Sequence, residues 1–450
     1  MGLLDFARSS FSHGVHPADN KDSTAKLAIR RLPFPEQVTV PLSQHFGAPA
    51  IPIVRKGQDV VRGEPIAAAD GFMSVPHHAP VTGTVKGVEL TTTSRGPKTP
   101  AIVIRVQPGA GQKVLYGGHR DLTALSRQEL IQAVQETGMV GLGGAAFPTH
   151  VKLSVPEGHS IDTLVVNGCE CEPHLTSDHR IMLEKVDALI QGISIGQNAV
   201  DAPLAVIGIE DNKLDAYRKV GSKLPHDGPI RIQALRTKYP QGAEKILIKS
   251  LLKREVPSGG LPYHVGVVVQ NASTLAQLGE LMPLRRGLIE RVVTITGPGV
   301  AKPGNYLIPL GTPLRFVLEQ AGSADSAKHL IMGGPMMGMM VASPDVPVTK
   351  AISGIVVLNE EAEAGRHLEK PRACIKCGHC LDACPINLNP SQLGLLAAKR
   401  LYETMEQNYH LNDCFECGCC SYVCPSAIPL VQYFRIAKAI NRERREKVDA

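Results

Sequence analysis

Tryptophan is absent from this 450-residue chain, and aromatic residues together make up only 4% of it. Single-stranded nucleic acid is held on repeated exposed rings, so that class of function has little to build on. Charge of one sign is lacking too: 48 Lys and Arg oppose 42 Asp and Glu, a net charge of +6. Such an excess describes an ordinary soluble surface, not a nucleic-acid face. No run reaches about 18 consecutive apolar residues, so no membrane-spanning helix of this chain's own is expected. The apolar part of MGLLDFARSSFSHGVHP is too short for a secretory signal, and MGLLDF resembles a myristoylation start only superficially. The chain reads as cytosolic, with room to sit against a membrane-bound partner.

Glycine (43) and proline (34) are plentiful, and 43% of the chain is hydrophobic. That composition suits several cores in a loop-rich chain of roughly two to four domains. Eleven cysteines are present, and eight lie in two tight runs. Clustered thiols without a secretory signal point to metal ligation over disulfides. The runs are Cys374, Cys377, Cys380 and Cys384, then Cys414, Cys417, Cys420 and Cys424, each followed by proline. Both fit C-x2-C-x2-C-x3-C-P. In that pattern three thiolates wrap one 4Fe–4S cubane, while the fourth reaches the other cubane. Cys374, Cys377, Cys380 and Cys424 are assigned to one cluster, and Cys414, Cys417, Cys420 and Cys384 to the other. Cys419, beside Cys420, reads as a bystander or a hydrogen-bonding neighbour. Leu393, Leu395, Leu396, Leu401 and Met405 recur near helical spacing between the motifs, and residues 428–447 read as a further helix. The clusters therefore belong to a helical ferredoxin module.

Upstream, residues 36–108 alternate short Val/Ile runs with glycine turns, resembling biotinyl and lipoyl barrel-sandwich hairpins. The turn region ADGFMSVPHH has no lysine, so a structural or docking role is expected, not a swinging arm. His77 and His78 are a weak metal lead against a reading as turn residues. Residues 121–137 read as an amphipathic helix. The glycine-rich loop GMVGLGGAAFPTHVKLS follows, where Gly141, Gly143 and Gly144 let a flat or phosphorylated ligand come close and Lys152 supplies charge. Then Leu164–Val166 reads as a strand with Asn167, Glu170, Glu172 and Asp178 at its carboxyl end, the edge where open α/β sheets bind ligands. Helix-like residues 179–200 and 211–222 alternate with the strands PLAVIGI and RIQALR, and QGAEKILIKSLLK follows as a helix. This rhythm implies a mostly parallel sheet. Cys169 and Cys171 read as structural or pocket-lining. Residues 291–340 suggest a small β-grasp domain in which Met332, Met336, Met337, Met339 and Met340 fill core or interface. Residues 358–372 are a charged connector.

The order GLGGAAFPTHVK, NGCECEP, YPQGAEKIL, QNAST, β-grasp segment and cysteine motifs resembles the flavin-bearing, NADH-oxidising subunit of respiratory complex I. The lipoyl-like part, GPGVAKPGNYLIPLGTP, GGPMMG and the double cysteine module narrow the resemblance to the C subunits of the Rnf (Rsx) ion-translocating electron-transport complexes. It covers nearly the whole chain. The fold it implies is multi-domain α/β and α+β: a lipoyl-like barrel-sandwich over 1–120, a Rossmann-like FMN/NADH domain over 121–285, a β-grasp domain over 286–357 and a helical two-cluster ferredoxin module over 358–450. It also implies FMN, NAD(H) as substrate and two 4Fe–4S clusters. The expected partners are integral-membrane and flavin or iron–sulfur subunits of the same complex, on the cytoplasmic side of the bacterial inner membrane. Ferredoxin or quinone-type carriers lie at the far end of the electron path. Carried over by motif, the flavin site comprises Gly141, Gly143, Lys152, Asn167, Glu170, Glu172, Tyr239, Glu244, Asn271 and Thr274. The complex I relative has arginines where this chain has Val140 and Leu142, Asp and Ser at Cys169 and Cys171, and Glu at Ala243. Two other readings stay open on the residues alone: a soluble reductase resembling the cobalamin reductases of microcompartments, and a non-catalytic relay that docks partners.

Overall fold

The computed structural model describes residues 9–94, 96, 98–323, 329–359 and 370–448. Four sheets organise the first three quarters of the chain, and helices organise the remainder.

The flavin-type domain is built on four parallel strands in the order Ile230–Leu235, Leu204–Glu210, Thr163–Gly168, Val267–Asn271. The Val/Leu/Ile-rich stretches of the last three are buried on both faces, as parallel strands flanked by helices must be, and Ile230–Leu235 is the partly exposed edge. The expected βαβ rhythm is present, with one break: residues 179–200 form two helices, Ser177–Glu184 and Val186–Val200. Helix Arg127–Glu136 is opened by a Ser126/Glu129 capping box. Helices Val186–Val200 and Ala272–Leu281 pack backbone to backbone. A Cβ on Gly192 would lie 1.8 Å from Leu275 O, and one on Gly279 would lie 2.0 Å from Ala188 O. That contact fixes the helix that begins at Asn271, and so fixes one wall of the site described below.

The barrel-sandwich pairs a four-stranded sheet (Gln37–Pro41, Thr99–Val106, Gly83–Thr91, Asp59–Val60) with a three-stranded one (Ile51–Pro52, Pro65–Ala68, His77–His78). Val38, Val40, Ile66, Ile102 and Ile104 fill its core. His77 and His78 are buried strand residues, not turn residues, and the His77 ring bonds to Leu42 O at 3.0 Å.

The β-grasp sheet runs Arg30–Arg31, Gly304–Pro309, Glu290–Thr296, Gly354–Leu358, His329–Met332, Met339–Val341. Helix Leu314–Ala321 shares its core. Its first strand comes from the amino-terminal stretch, so a single unit over 1–120 does not describe what residues before the barrel do. Arg30–Arg31 extends the β-grasp sheet beside Tyr306 and Leu307, and Val15 pairs with Tyr239. Met332 is core as expected, whereas Met337, Met339 and Met340 are exposed. Most of the expected connector, residues 360–369, lies outside the described residues.

The cysteine module consists of helices His379–Asp382, Pro390–Ala398, Tyr402–Tyr409, Cys419–Tyr422 and Leu430–Val448. They close on Leu393, Met405, Leu411 and Phe434. Leu395 and Leu401, counted into the same stripe on spacing, are exposed: Leu395 lies two residues from Leu393 on one helix, off its buried face, and Leu401 lies between two short helices. Among the described residues no helix is long and apolar enough to cross a membrane.

Candidate functional site

In an open parallel sheet the ligand crevice lies outside the carboxyl ends of the strands, where strand order reverses. Here that point falls between Thr163–Gly168 and Val267–Asn271, and the last residues of the pairing, Asn167 and Asn271, sit in register. The Asn167 amide donates to Gly242 O at 2.8 Å, and its oxygen accepts from Cys169 N at 3.0 Å. Asn271 caps its helix by accepting from Thr274 N at 3.1 Å, and donates to Asp178 at 2.7 Å.

The glycine loop lies over this edge. Leu142 N donates to Thr274 Oγ1 at 2.9 Å, and Gly141 N to Phe147 O at 2.8 Å. A Cβ at Gly143 would come within 3.5 Å of the Asn271 amide, and Gly144 holds a φ of +120° over open space. Side chains at these positions would fill the crevice or strain the loop. Lys152, on the short helix after the loop, pairs with Glu244 at the start of helix Glu244–Leu252. Gly141, Gly143, Lys152, Asn167, Glu244, Asn271 and Thr274 therefore meet around one crevice. Gln241, one residue from Gly242, is fully buried with neither amide atom partnered. The open space over Gly144 and the Asn271 amide beside Gly143 fit a flat polar ligand such as FMN.

Three residues of the expected set are occupied elsewhere. The Glu170 carboxylate accepts from Ser177 Oγ, Asp178 N and His179 N at 3.0, 3.0 and 3.1 Å, capping helix Ser177–Glu184. Glu172 accepts from Met336 N and Met337 N of the β-grasp domain at 3.0 and 2.8 Å, and burial pushes its pKa up to about 7. Tyr239 is 1% exposed and its hydroxyl donates to Cys417 O at 2.6 Å. Burial pushes its phenol well above the usual range. Each of these side chains is engaged with protein partners: Glu170 with Asp178, which Asn271 also bonds, Glu172 with the β-grasp domain, and Tyr239 with the second cysteine motif. Lys21, from the amino-terminal stretch, holds the acidic turn from behind by donating to Glu170 O and Glu172 O at 2.8 and 2.9 Å.

The sequence showed no positive charge in the loop itself. The structure supplies one beneath it: buried Arg291 of strand Glu290–Thr296 donates to Leu142 O at 3.1 Å. No motif marks Arg291. Its sequence signal is a charge just before the Val292–Val293 pair of its strand.

The cysteine motifs interlock. Burial raises the Cys380 thiol, and the charges that raise it further are those of Cys377, Cys424 and Cys374. Burial likewise raises Cys420, followed by Cys417, Cys414, Cys384 and Cys380. Each set thus includes the fourth cysteine of the other motif. Cys384, Cys414, Cys417 and Cys420 line one pocket together with Cys419. Four soft thiolates around one cavity fit a cubane. A hydrogen bond from Cys419 is the main influence lowering Cys417. Cys374 and Cys377 are exposed, whereas in the second motif Cys420 is buried and Cys414, Cys417 and Cys424 are half-buried. Tyr239, Cys171, Met336 and Val15 pack against Cys417 and Cys419. Cys171 accepts from Gly242 N at 3.3 Å, and Cys169 contacts Gly208 O at 3.5 Å, both within the flavin-type domain.

Comparison with known proteins gives four family matches. Residues 9–108 match the RnfC barrel sandwich hybrid domain, and 134–280 the Nuo51 FMN-binding domain. Residues 292–339 match the SLBB domain, and 373–428 the 4Fe-4S dicluster domain. The chain is 41% identical over 446 residues to the C subunit of the proton-translocating ferredoxin:NAD(+) oxidoreductase complex of Clostridium ljungdahlii, covering 98% of this chain and 96% of that one. It is 39% identical over 412 residues to the Na(+)-translocating counterpart of Acetobacterium woodii, covering 90% and 91%. It is also 38% identical over 442 residues to the C subunit of the ion-translocating oxidoreductase complex of Haemophilus influenzae strain 86-028NP, covering 97% and 65%.

Proposed function

The chain belongs to the family of C subunits of ion-translocating oxidoreductase complexes (RnfC), and from there we propose how its own residues divide the work of moving electrons between NAD(H) and the rest of the complex. It is a peripheral electron-transfer subunit with FMN and 4Fe–4S cofactors. When bound, the flavin exchanges two electrons with NAD(H) and one at a time with the iron–sulfur clusters.

Gly141, Gly143, Lys152, Asn167, Glu244, Asn271 and Thr274 hold the flavin and admit the nicotinamide. The loop glycines let the ligand approach the backbone, Lys152 offers positive charge, and the two asparagines offer amides at the sheet edge. Glu170, Glu172 and Tyr239 shape the crevice from behind. Cys384, Cys414, Cys417 and Cys420 form the inner cluster seat, and Cys374, Cys377, Cys380 and Cys424 the outer one. The observation that carries this division is the contact between Tyr239 and Cys417, which places the second motif against the flavin domain. Exposed Cys374 and Cys377, beside exposed Ile375, Lys376 and Leu381, form the face offered to a redox partner.

That partner is an electron-carrying member of the same complex, on the cytoplasmic side of the bacterial inner membrane. Affinity capture of the full chain from solubilised membranes tests this placement. Recovery with integral-membrane subunits supports it. Recovery of the chain alone, under conditions that keep the complex together, favours a soluble reductase.

A further inference from the structure

Arg291 is 2% exposed, yet it carries a charge that cannot be left unpartnered without a large penalty. Its partners lie outside its own sheet strand. One terminal nitrogen donates to Leu142 O at 3.1 Å, the other donates to Lys350 O, and Nε has no acceptor among the described residues. The Asp178 carboxylate faces it and favours its charge, against a burial that lowers its pKa to about 10. Asp178 in turn accepts from Asn271 at 2.7 Å and from Ser273. The guanidinium thus links the glycine loop to the asparagine at the head of the crevice.

The Leu142–Gly143 bond is trans, and in a trans peptide the carbonyl and the next N–H point in opposite directions. Leu142 O turns toward Arg291, so Gly143 N–H turns away from it, toward the exposed side of the loop. Leu142 N, in the preceding peptide, is held by Thr274 Oγ1, so the loop is anchored on both sides of the Leu142 α-carbon. An amide aimed outward over a fixed positive charge is an anion seat.

We propose that Arg291, a residue outside the flavin domain, is a positioning residue that locks the Leu142 peptide so that Gly143 N–H seats a phosphate group of the bound nucleotide. This rests on the reading of the crevice as the flavin and NAD(H) site. The phosphate is that of FMN or the pyrophosphate of NAD(H). Both share the same chemistry, and the test separates them. Val140 and Leu142 give the loop no charge of its own, and the charge comes from below.

The test uses full-length, cluster-loaded, flavin-free protein in three forms: unmodified, Arg291→Met and Arg291→Lys. Each is titrated with FMN, riboflavin and NAD+, with iron content and melting temperature as checks of folding. Arg291→Met should weaken a phosphate-bearing ligand by on the order of tenfold, the effect of one lost charge-assisted contact. Riboflavin binding should stay within about twofold on the same argument, since it lacks the phosphate. Arg291→Lys keeps the charge without the fork and should fall between. A loss confined to FMN assigns the seat to the flavin phosphate, and one confined to NAD+ assigns it to the pyrophosphate. Equal losses of FMN and riboflavin, or no loss of any ligand, overturn the proposal. If Arg291→Met does not fold, a lysine variant that binds all three ligands like the unmodified chain overturns it as well. An unmodified chain that binds neither flavin would instead refute the reading of the crevice.

Discussion

Tyr239 of the flavin domain donates its hydroxyl to the main-chain carbonyl of Cys417 at 2.6 Å. The two residues are 178 positions apart, and the bond ties the crevice-bearing domain to the loop of the second cysteine motif. Val15 reinforces it by pairing in both directions with the Tyr239 backbone. Replacing Tyr239 by Phe leaves a buried carbonyl without its donor, at a cost of about 1 kcal/mol. Iron and flavin per chain should stay unchanged in Tyr239→Phe. The visible cluster absorbance should bleach faster in air, because the cover over the inner seat is loosened. Equal bleaching rates would show that this bond does not hold the two domains together.

The crossed arrangement of the cysteines predicts a crossed pattern of loss. Cys424→Ala should remove the cluster of Cys374, Cys377 and Cys380, and Cys384→Ala the cluster of Cys414, Cys417 and Cys420. Each should lower iron from about eight to about four atoms per chain. Cys419→Ala should leave iron unchanged, since its thiol neighbours Cys417 without completing either set. Iron analysis combined with electron paramagnetic resonance of each variant distinguishes the two seats.

Lys152 and Glu244 are each about a third exposed and form an ion pair. Solvent screening limits their coupling to below about 1 kcal/mol, so a double-mutant cycle on stability should find little. Their importance is expected in the crevice instead. Lys152→Met should lower flavin-dependent NADH oxidation by roughly tenfold, the effect of one charged donor, with full iron content. Steady-state rates alongside iron analysis check this.

Glu172 predicts a pH dependence. Burial raises its pKa from 4.5 to about 7, so the folded chain binds this proton more tightly than the unfolded chain does. The resulting stabilisation is complete below about pH 4.5 and is lost as pH rises through about 7. The melting temperature of the unmodified chain should therefore fall more steeply over this interval than that of Glu172→Gln, whose side chain stays neutral. Parallel curves for the two proteins would contradict the assignment.

Much of this was legible in the residues. The cysteine spacing identified the two-cluster domain, because thiolate ligation leaves a pattern along the chain. The four architectures were legible in hydrophobic rhythm and turn composition. The partners of Glu170, Glu172 and Tyr239 were not, because motif resemblance transfers a position and not the direction of a side chain. Lys21 and Met336 meet the acidic turn only through tertiary contacts. Arg291 was hidden for the same reason: its partner Leu142 is 149 residues away, and nothing local marks either. Arg30–Arg31 joins the β-grasp sheet as a two-residue edge strand, too short to show any period.

Electron transfer through this chain requires that it hold both a flavin that exchanges electrons with NAD(H) and two clusters that carry them onward. An anaerobic NADH titration of the protein reconstituted with iron, sulfide and FMN, following flavin and cluster absorbance together, measures this. Bound FMN, about eight irons and bleaching of both chromophores by NADH are expected. A chain with a full complement of iron that binds no FMN at saturation, or whose clusters stay oxidised while the flavin is reduced, would contradict that path.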